Sequence, residues 1–261
     1  MTMKLDLVDS HTHLDAEEFA SDRDACIERA VAAGVTRLVS IGASRDLDSA
    51  RSAIALADRY PFIWASAGIH PHDAGHDLNW SDLEPLAQHP KVVAIGETGL
   101  DFFRDWAPRD KQFALFEYQI DLARRVKKPL IIHSRSAGEE CLAALERNNA
   151  RDVGGVFHCY AEDAAFARRL ASLGFLVSFP GVLTFKKGDS MRAICKEIPL
   201  EQILVETDAP YMAPEPHRGK RCESAFVVET ARCLATLKGL SLEEVAAITT
   251  ENALRLFSTM R

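Results

Sequence analysis

Eight short apolar runs alternate with helix-like stretches along this 261-residue chain, and this alternation limits its possible folds more than any other feature. The runs are rich in β-branched residues, whereas the stretches between them carry apolar residues at helical spacing. Alternating strands and helices predict a parallel sheet with helices packed against it. The strand-like runs lie near residues 5–8, 35–42, 62–70, 91–97, 129–133, 155–159, 175–179 and 203–208.

A (β/α)8 TIM barrel accounts best for this order. Doubly wound sheets alternate in the same way, but the strand count and the polar residues at the strand ends favour the barrel. The tail from Ser224 to Phe257 is predicted to be helical, with a break at Leu240–Ser241 where Ser241 and Glu244 have capping-box spacing. We find no linker and no low-complexity tract, so we predict one α/β barrel domain over residues 1–261.

Charge and cysteine usage exclude several classes of protein. Lys and Arg total 31 and Asp and Glu total 38, giving a net charge of −7, so the chain has no general attraction for a long duplex. We see no signal peptide and no apolar run that spans a bilayer. The six cysteines form no C-x-x-C pair, which favours reduced thiols. We expect a cytoplasmic protein without membrane contact, and a monomer in preference to an oligomer.

Two histidines stand at the end of the first run. Residues two apart in an extended chain point to the same face, so the imidazoles of His11 and His13 can aim at one point. A bound metal ion is the simplest reason for such a pair, although a polar turn that contains two histidines by chance would look the same.

The other strand ends supply further groups of the same kind. In a barrel the carboxyl ends of all strands meet at one mouth. Carboxylates and imidazoles there suit Zn, Mn, Fe, Co or Mg ions, although any single member could instead cap a loop. The predicted ligands are His11 and His13 from the first strand, Glu97 from the fourth, His133 from the fifth, His158 from the sixth and Asp208 from the eighth.

Six ligands are more than one tetrahedral site needs, so we predict two divalent ions per chain. Glu97 would bridge the ions, with His11, His13 and Asp208 on one and His133 and His158 on the other. Two such ions activate water and suit displacement at phosphorus. Asp208 and Glu97 are therefore the predicted catalytic carboxylates, with Asp208 orienting the attacking water or taking its proton.

Several motifs together resemble the TatD family of metal-dependent hydrolases, within the amidohydrolase-like superfamily. The match runs through essentially the whole chain in order. The motifs are His11-Thr12-His13-Leu14-Asp15, Gly68-Ile69-His70-Pro71-His72, Gly96-Glu97-Thr98-Gly99-Leu100-Asp101, His133-Ser134-Arg135, His158-Cys159-Tyr160 and Glu206-Thr207-Asp208-Ala209-Pro210-Tyr211, followed by the run from Tyr211 to Lys220.

The resemblance implies a TIM barrel, a divalent-metal site on the six positions above and deoxyribonuclease activity, commonly 3′-to-5′ exonuclease. The chain departs from the related bacterial sequences at Arg221–Ser224, where an Asn-Pro-like pair is usual, and this puts the shape of that loop in doubt. Many amidohydrolase relatives carry a bridging lysine at the fourth strand, where this chain has Glu97.

Three residues are candidates for substrate binding. His70 ends the third strand and could contact a phosphate or cap its loop. Arg135 lies two residues after a predicted ligand and could bind a phosphate or pair with Glu139. Arg218 belongs to a short basic loop after the eighth strand, which could contact phosphate or simply be solvated.

The sequence favours a phosphodiesterase acting on nucleic-acid ends, with single-stranded DNA as the expected substrate. The alternative is a metal-dependent amide or ester hydrolase acting on a small molecule or an acylated RNA. A non-catalytic binding protein is the third possibility, but it has no need of six convergent ligands.

Overall fold

The computed structural model describes residues 5–44, 47–104 and 106–261. Eight parallel strands form one sheet in chain order, which confirms the predicted (β/α)8 barrel. The strands are β1 (Leu7–Thr12), β2 (Val35–Ser40), β3 (Ile63–Ala67), β4 (Val92–Asp101), β5 (Leu130–Arg135), β6 (Gly155–Phe157), β7 (Phe175–Phe179) and β8 (Ile203–Val205).

Helices follow the strands in the order that the sequence predicts, and two of them, α8 and α9, form the tail. In the described part of the chain the α-helices are α1 (Arg23–Ala32), α2 (Asp48–Arg59), α3 (Leu83–Ala87), α4 (Arg109–Val126), α5 (Gly138–Arg147), α6 (Ala164–Ser172), α7 (Asp189–Glu197), α8 (Val227–Lys238) and α9 (Leu242–Leu256). Among these residues, no helix combines the length and the apolar composition that a membrane crossing requires.

The predicted break between the last two helices is present. The Ser241 hydroxyl accepts the backbone N–H of Glu244, and the Glu244 carboxylate accepts the N–H of Ser241, at 3.1 and 2.8 Å. This reciprocal capping box satisfies amides that α9 itself leaves unpaired. α9 therefore begins at a fixed residue and packs against β1 and β8.

Two apolar clusters cover the two faces of the sheet. In β5, Leu130 and Ile132 pack with the outer helices, whereas Ile131 belongs to the second cluster. This alternation follows from the two-residue period of a strand. The second cluster fills the inside of the barrel and includes Phe257 and Met260, which follow α9.

The seam between the first and last strands is closed by hydrogen bonds near the mouth. Thr12 pairs with Ala209 in a parallel bridge, and the Ser10 hydroxyl donates to the carbonyl of Val205 at 3.0 Å. Because β8 is short, these contacts continue the sheet beyond its last residue. They bring the segment after β8 alongside the histidines of β1.

Candidate metal centre

The first part of the site is built where β1 meets the segment after β8. The backbone N–H of Asp208 donates to the carbonyl of His11 at 2.9 Å, and that of His13 donates to Ala209 at 2.8 Å. Asp208 has a φ of 55°, which turns the chain at this point. Its Oδ1 consequently lies 3.6 Å from Nε2 of His11 and 3.3 Å from Nε2 of His13.

Glu97 lies at the centre of the site and is 3% exposed. Five imidazole rings surround its carboxylate, and they come from four different parts of the barrel. The distances from its oxygens are 3.5 Å to His11, 4.0 Å to His13, 3.4 Å to His70, 2.8 Å to His133 and 2.8 Å to His158.

A glycine allows β4 to lie this close to β5. Gly96 has a φ of +148°, and a Cβ built on it would stand 2.5 Å from the carbonyl oxygen of Ile131. The pairing between β4 and β5 also shifts register between Ile95 and Thr98. In this irregular stretch Gly99 pairs with His133, and the carboxylate of Glu97 lies 2.8 Å from Nδ1 of the same histidine.

Glu206 supports the far side of the cluster. Its carboxylate is fully buried, accepts the N–H of Cys159 at 2.7 Å and also accepts the hydroxyl of Ser178. The same carboxylate lies 3.6 Å from Nδ1 of His158. Because it faces this ring from the side opposite Glu97, Glu206 positions His158.

The carboxylates of Glu97 and Asp208 remain ionised at neutral pH, because their pKa values lie below the ordinary ones. Burial alone would raise the pKa of Glu97, but the His158, His70, His11 and His133 imidazoles outweigh it and hold that pKa well below its usual range. Burial would likewise raise the pKa of Asp208, and His13 and His11 reverse the direction. The site therefore keeps two negative charges among neutral and protonated rings.

The histidines differ in charge because their surroundings differ. Burial lowers the pKa of His70 to about 4, so this ring is neutral at pH 7. Its Nδ1 accepts the N–H of His72 at 3.2 Å, which leaves the ring proton on Nε2, facing Glu97. Burial would also lower the pKa of His158, but Glu97 and Glu206 raise it well above its ordinary value.

These residues fit divalent metal ions. Both ring nitrogens of His11 are buried and make no hydrogen bond to the described residues, an unusual condition for a buried imidazole. The donor atoms of His11, His13 and Glu97 lie within 4.8 Å of one another, and so do those of Glu97, His133 and His158. The two groups share Glu97, and imidazole with carboxylate is a common donor set for Zn, Mn and Fe.

The structure adds two residues to which the sequence assigned no role. His72 Nε2 lies 2.7 Å from Oδ2 of Asp101, and the same oxygen lies 3.1 Å from Nε2 of His133. His70, His72 and His133 form another close set of imidazoles. Asp101 is the last residue of the motif Gly96–Asp101, so the sequence already contained a carboxylate that could have been considered. Its two histidine partners come from other segments of the chain, which the sequence alone does not bring together.

The three predicted substrate residues have different surroundings. His70 is in the cluster beside Glu97. Arg135 is exposed and its guanidinium lies 4.0 Å from the ring centre of Phe103; the alternative partner, Glu139, pairs instead with Arg169 at 2.6 Å. Arg218 stacks on Phe185 at 3.7 Å and donates to the carbonyl of Ala213. Its role in binding stays a prediction.

The family model for TatD related DNase matches residues 8–258. The chain belongs to the TatD family. It is 43% identical over 255 residues to an uncharacterized metal-dependent hydrolase of Bacillus subtilis, YabD, with 96% of this chain and 98% of the relative covered. It is accordingly a TatD-family metal-dependent hydrolase.

Two further TatD proteins are similar to the chain, one of them named for its activity and the other with a solved structure. A protein of Edwardsiella piscicida named 3′-5′ ssDNA/RNA exonuclease TatD is 34% identical over 259 residues, covering 96% of this chain and 99% of the relative. The crystal structure of the TatD homologue YJJV from Escherichia coli superposes with a TM-score of 0.88 at 28% identity, covering 97% of this chain and 98% of that one.

Proposed function

We propose that this chain is a divalent-metal-dependent phosphodiesterase that removes nucleotides from single-stranded nucleic-acid ends, as a 3′-to-5′ deoxyribonuclease. The observation that carries the proposal is the carboxylate of Glu97, shared by two groups of potential ligands and surrounded by five imidazoles. A shared carboxylate of this kind suits a pair of ions bound side by side. The name of the Edwardsiella relative supports the same substrate class.

In this proposal His11, His13 and Asp208 would hold one ion, His133 and His158 would hold the other, and Glu97 would be a ligand common to both. Ions held there would supply activation of water and compensation of the phosphate charge. Glu206 and Asp101 would not bind the ions themselves. They fix the orientation of His158 and His133, respectively.

The chain's own residues then position the phosphate and move the proton. Asp208 is ionised at neutral pH and lies at the edge of the cluster, so it can accept a proton from the attacking water. His70 is neutral and carries its proton on Nε2, so it can donate a hydrogen bond to a phosphate oxygen. Arg135, exposed at the end of β5, can offset the charge of a neighbouring phosphate.

A matrix of metals and substrates tests the proposal. Metal-free protein is loaded with Mg, Mn, Zn or Co and offered single-stranded DNA, duplex DNA, RNA, a phosphodiester reporter and acyl substrates. We expect fastest turnover on single-stranded ends and metal analysis close to two ions per chain. Hydrolysis of the acyl substrates alone would replace the phosphodiesterase with the amide or ester hydrolase.

Glu97→Gln provides the matched variant, since it keeps the size of the side chain and removes its charge. We expect both metal occupancy and turnover to fall. Two ions bound at unchanged affinity in Glu97→Gln would contradict the bridging role.

A further inference from the structure

Large apolar side chains are exposed beside the metal centre, on the loop that follows β4. Phe103 is 58% exposed and Trp106 is 64% exposed. Exposed aromatic side chains that lie together on a protein surface are typical of binding sites. Neither residue was assigned a role by the sequence.

These two rings alternate with basic side chains. The guanidinium of Arg135 lies 4.0 Å from the ring centre of Phe103, and that of Arg104 lies 5.5 Å from Phe103 and 5.3 Å from Trp106. The ring of Trp106 in turn lies 4.3 Å from that of His72 in an edge-to-face arrangement. We call Phe103, Arg104, Trp106 and Arg135 the aromatic rim.

The aromatic rim is fixed directly to the metal centre through Asp101. One oxygen of this carboxylate accepts the backbone N–H groups of Phe103 and Arg104, both at 2.9 Å. The other oxygen contacts His72 at 2.7 Å and His133 at 3.1 Å. The side chain of Asp101 therefore sets the distance between a ligand on the aromatic rim and the group bound among the histidines.

Both arginine residues of the rim are exposed. Within residues 5–44, 47–104 and 106–261, neither Arg104 nor Arg135 forms an ion pair with a carboxylate. By contrast, Arg29, Arg125 and Arg221 all have carboxylate partners. Two guanidinium groups interleaved in this way with two exposed rings match a strand of alternating phosphates and bases.

We propose that Phe103 and Trp106 are a stacking platform for unpaired bases next to the bond that is cut, and that Arg104 and Arg135 contact the flanking phosphates. This inference rests on the proposed nuclease function and identifies the part of the chain that selects its substrate. A duplex keeps its bases stacked on one another, so it cannot use the platform without unpairing. The aromatic rim thus explains selection of single strands by a chain of net charge −7.

The test compares two oligonucleotides of equal length and charge, one with normal bases and one with abasic residues at the 3′ end. Binding is measured by fluorescence anisotropy with the metals chelated, and turnover is measured with them present. Phe103→Ala and Trp106→Ala are the variants, Trp106→Phe is the conservative one, and Leu240→Ala is the control. Leu240 is also an exposed apolar residue, at 37%, but it lies between α8 and α9.

Stacking on an aromatic side chain contributes roughly 5- to 150-fold in affinity per base. We expect Trp106→Ala and Phe103→Ala to weaken binding of the normal strand by a factor in this range. KM should rise in parallel while kcat changes little. Binding of the abasic strand should not change, Trp106→Phe should recover most of the affinity, and Leu240→Ala should match the unsubstituted protein.

An equal loss of affinity for the two strands, or no loss for either, would contradict the stacking platform. The two rings would then have only a packing role beside His72. The nuclease proposal fails separately. If the protein binds the normal strand through Trp106 but cleaves no oligonucleotide with any metal, the platform stands and the phosphodiesterase does not. If the protein cleaves both strands equally well and the variants change neither binding nor turnover, the phosphodiesterase stands and the platform does not.

Discussion

Asp208 combines features that suit it to both metal binding and proton transfer. Its carboxylate lies 3.3 Å from His13 and 3.6 Å from His11, and those imidazoles keep it ionised despite its burial. The backbone around it is fixed by the hydrogen bond from its N–H to His11. A substitution that retains shape should therefore separate its chemistry from its structural role.

Asp208→Asn should lower kcat on a single-stranded oligonucleotide by roughly 10²- to 10⁴-fold, the usual contribution of a positioned general base. The substituted amide retains an oxygen donor, so oligonucleotide binding should change little. Steady-state kinetics together with anisotropy measurements separate the two quantities. Full turnover in Asp208→Asn would exclude Asp208 as the proton acceptor.

At the scale of secondary-structure elements, β4 depends on a residue without a side chain. Gly96 combines a φ of +148° with a backbone contact that leaves no room for a Cβ. β4 therefore requires glycine at position 96, immediately before Glu97. Gly239 offers a contrast, because its φ is +67° but nothing lies within 4 Å of the position that a Cβ would occupy.

Gly96→Ala should lower the free energy of unfolding by more than about 3 kcal/mol, since backbone strain and overpacking act together. Gly239→Ala should lower it by roughly 1–2 kcal/mol, the strain of a left-handed residue alone. Urea unfolding of both variants tests the difference. Similar values for the two would mean that β4 and β5 can separate at little cost.

The loop that departs from related sequences, Arg221–Ser224, is tied to α1 and its preceding turn. Arg221 makes two hydrogen bonds to Asp22, both at 2.8 Å, and a further one to the carbonyl of Glu18. Glu223 pairs with Arg29 of α1 at 2.7 Å. The unusual loop sequence therefore has matching partners on and just before α1, which fix its position relative to β1.

Arg221→Gln should give a small, pH-dependent fall in Tm. The hydrogen bonds from Arg221 hold the pKa of Asp22 well below its ordinary value of 3.8. A carboxyl with a lowered folded-state pKa stabilises the fold above its unfolded pKa, and this contribution is lost as the pH falls further. The difference in Tm should thus be full at pH 7 and shrink as the pH falls below 3.8.

Arg51→Gln is the control for this measurement, because Arg51 pairs with Asp48 inside the single helix α2. Its removal leaves the contacts between elements intact. If Arg221→Gln lowers Tm no more than Arg51→Gln does, the loop is held by other contacts.

At the scale of the whole molecule, the barrel buries most of its thiols and leaves all six unpaired. Burial raises the pKa of Cys141 and of Cys195 to about 12, and both side chains are fully buried. Only the thiolate reacts with alkylating reagents, so burial lowers both access and intrinsic reactivity.

Mass spectrometry after alkylation at pH 8 tests this arrangement. We expect the native protein to leave Cys141 and Cys195 unmodified, with Cys233, which is only partly buried, as the first to react. Cys159 should react slowly, because burial and the Asp208, Glu206 and Glu97 carboxylates raise the pKa of its thiol well above the ordinary value. The denatured protein should take up six labels without prior reduction. Rapid labelling of Cys141 in the native state, or fewer than six labels after denaturation, would contradict the described packing.

The amino-acid sequence by itself determined the alternation of eight strands and their helices, because periodicity and capping are local properties. It also identified His11, His13, Glu97, His133, His158 and Asp208 as a set, since each follows or ends an apolar run. Their convergence around Glu97 follows from the barrel, which brings all the strand ends to one mouth. The metal roles of these residues remain predictions.

The tertiary structure decided what depends on contacts between distant segments. Cys159, which follows His158, has a φ of +47° that ends the extended conformation of the strand before it, and its thiol lies 4.0 Å from the sulfur of Met212. β4 runs four residues past Glu97 and ends at Asp101. The carboxylate of Asp101 contacts His72, His133 and the backbone of Phe103. The register between β4 and β5 and the paths of two loops together bring these three segments close. No local sequence pattern encodes that proximity.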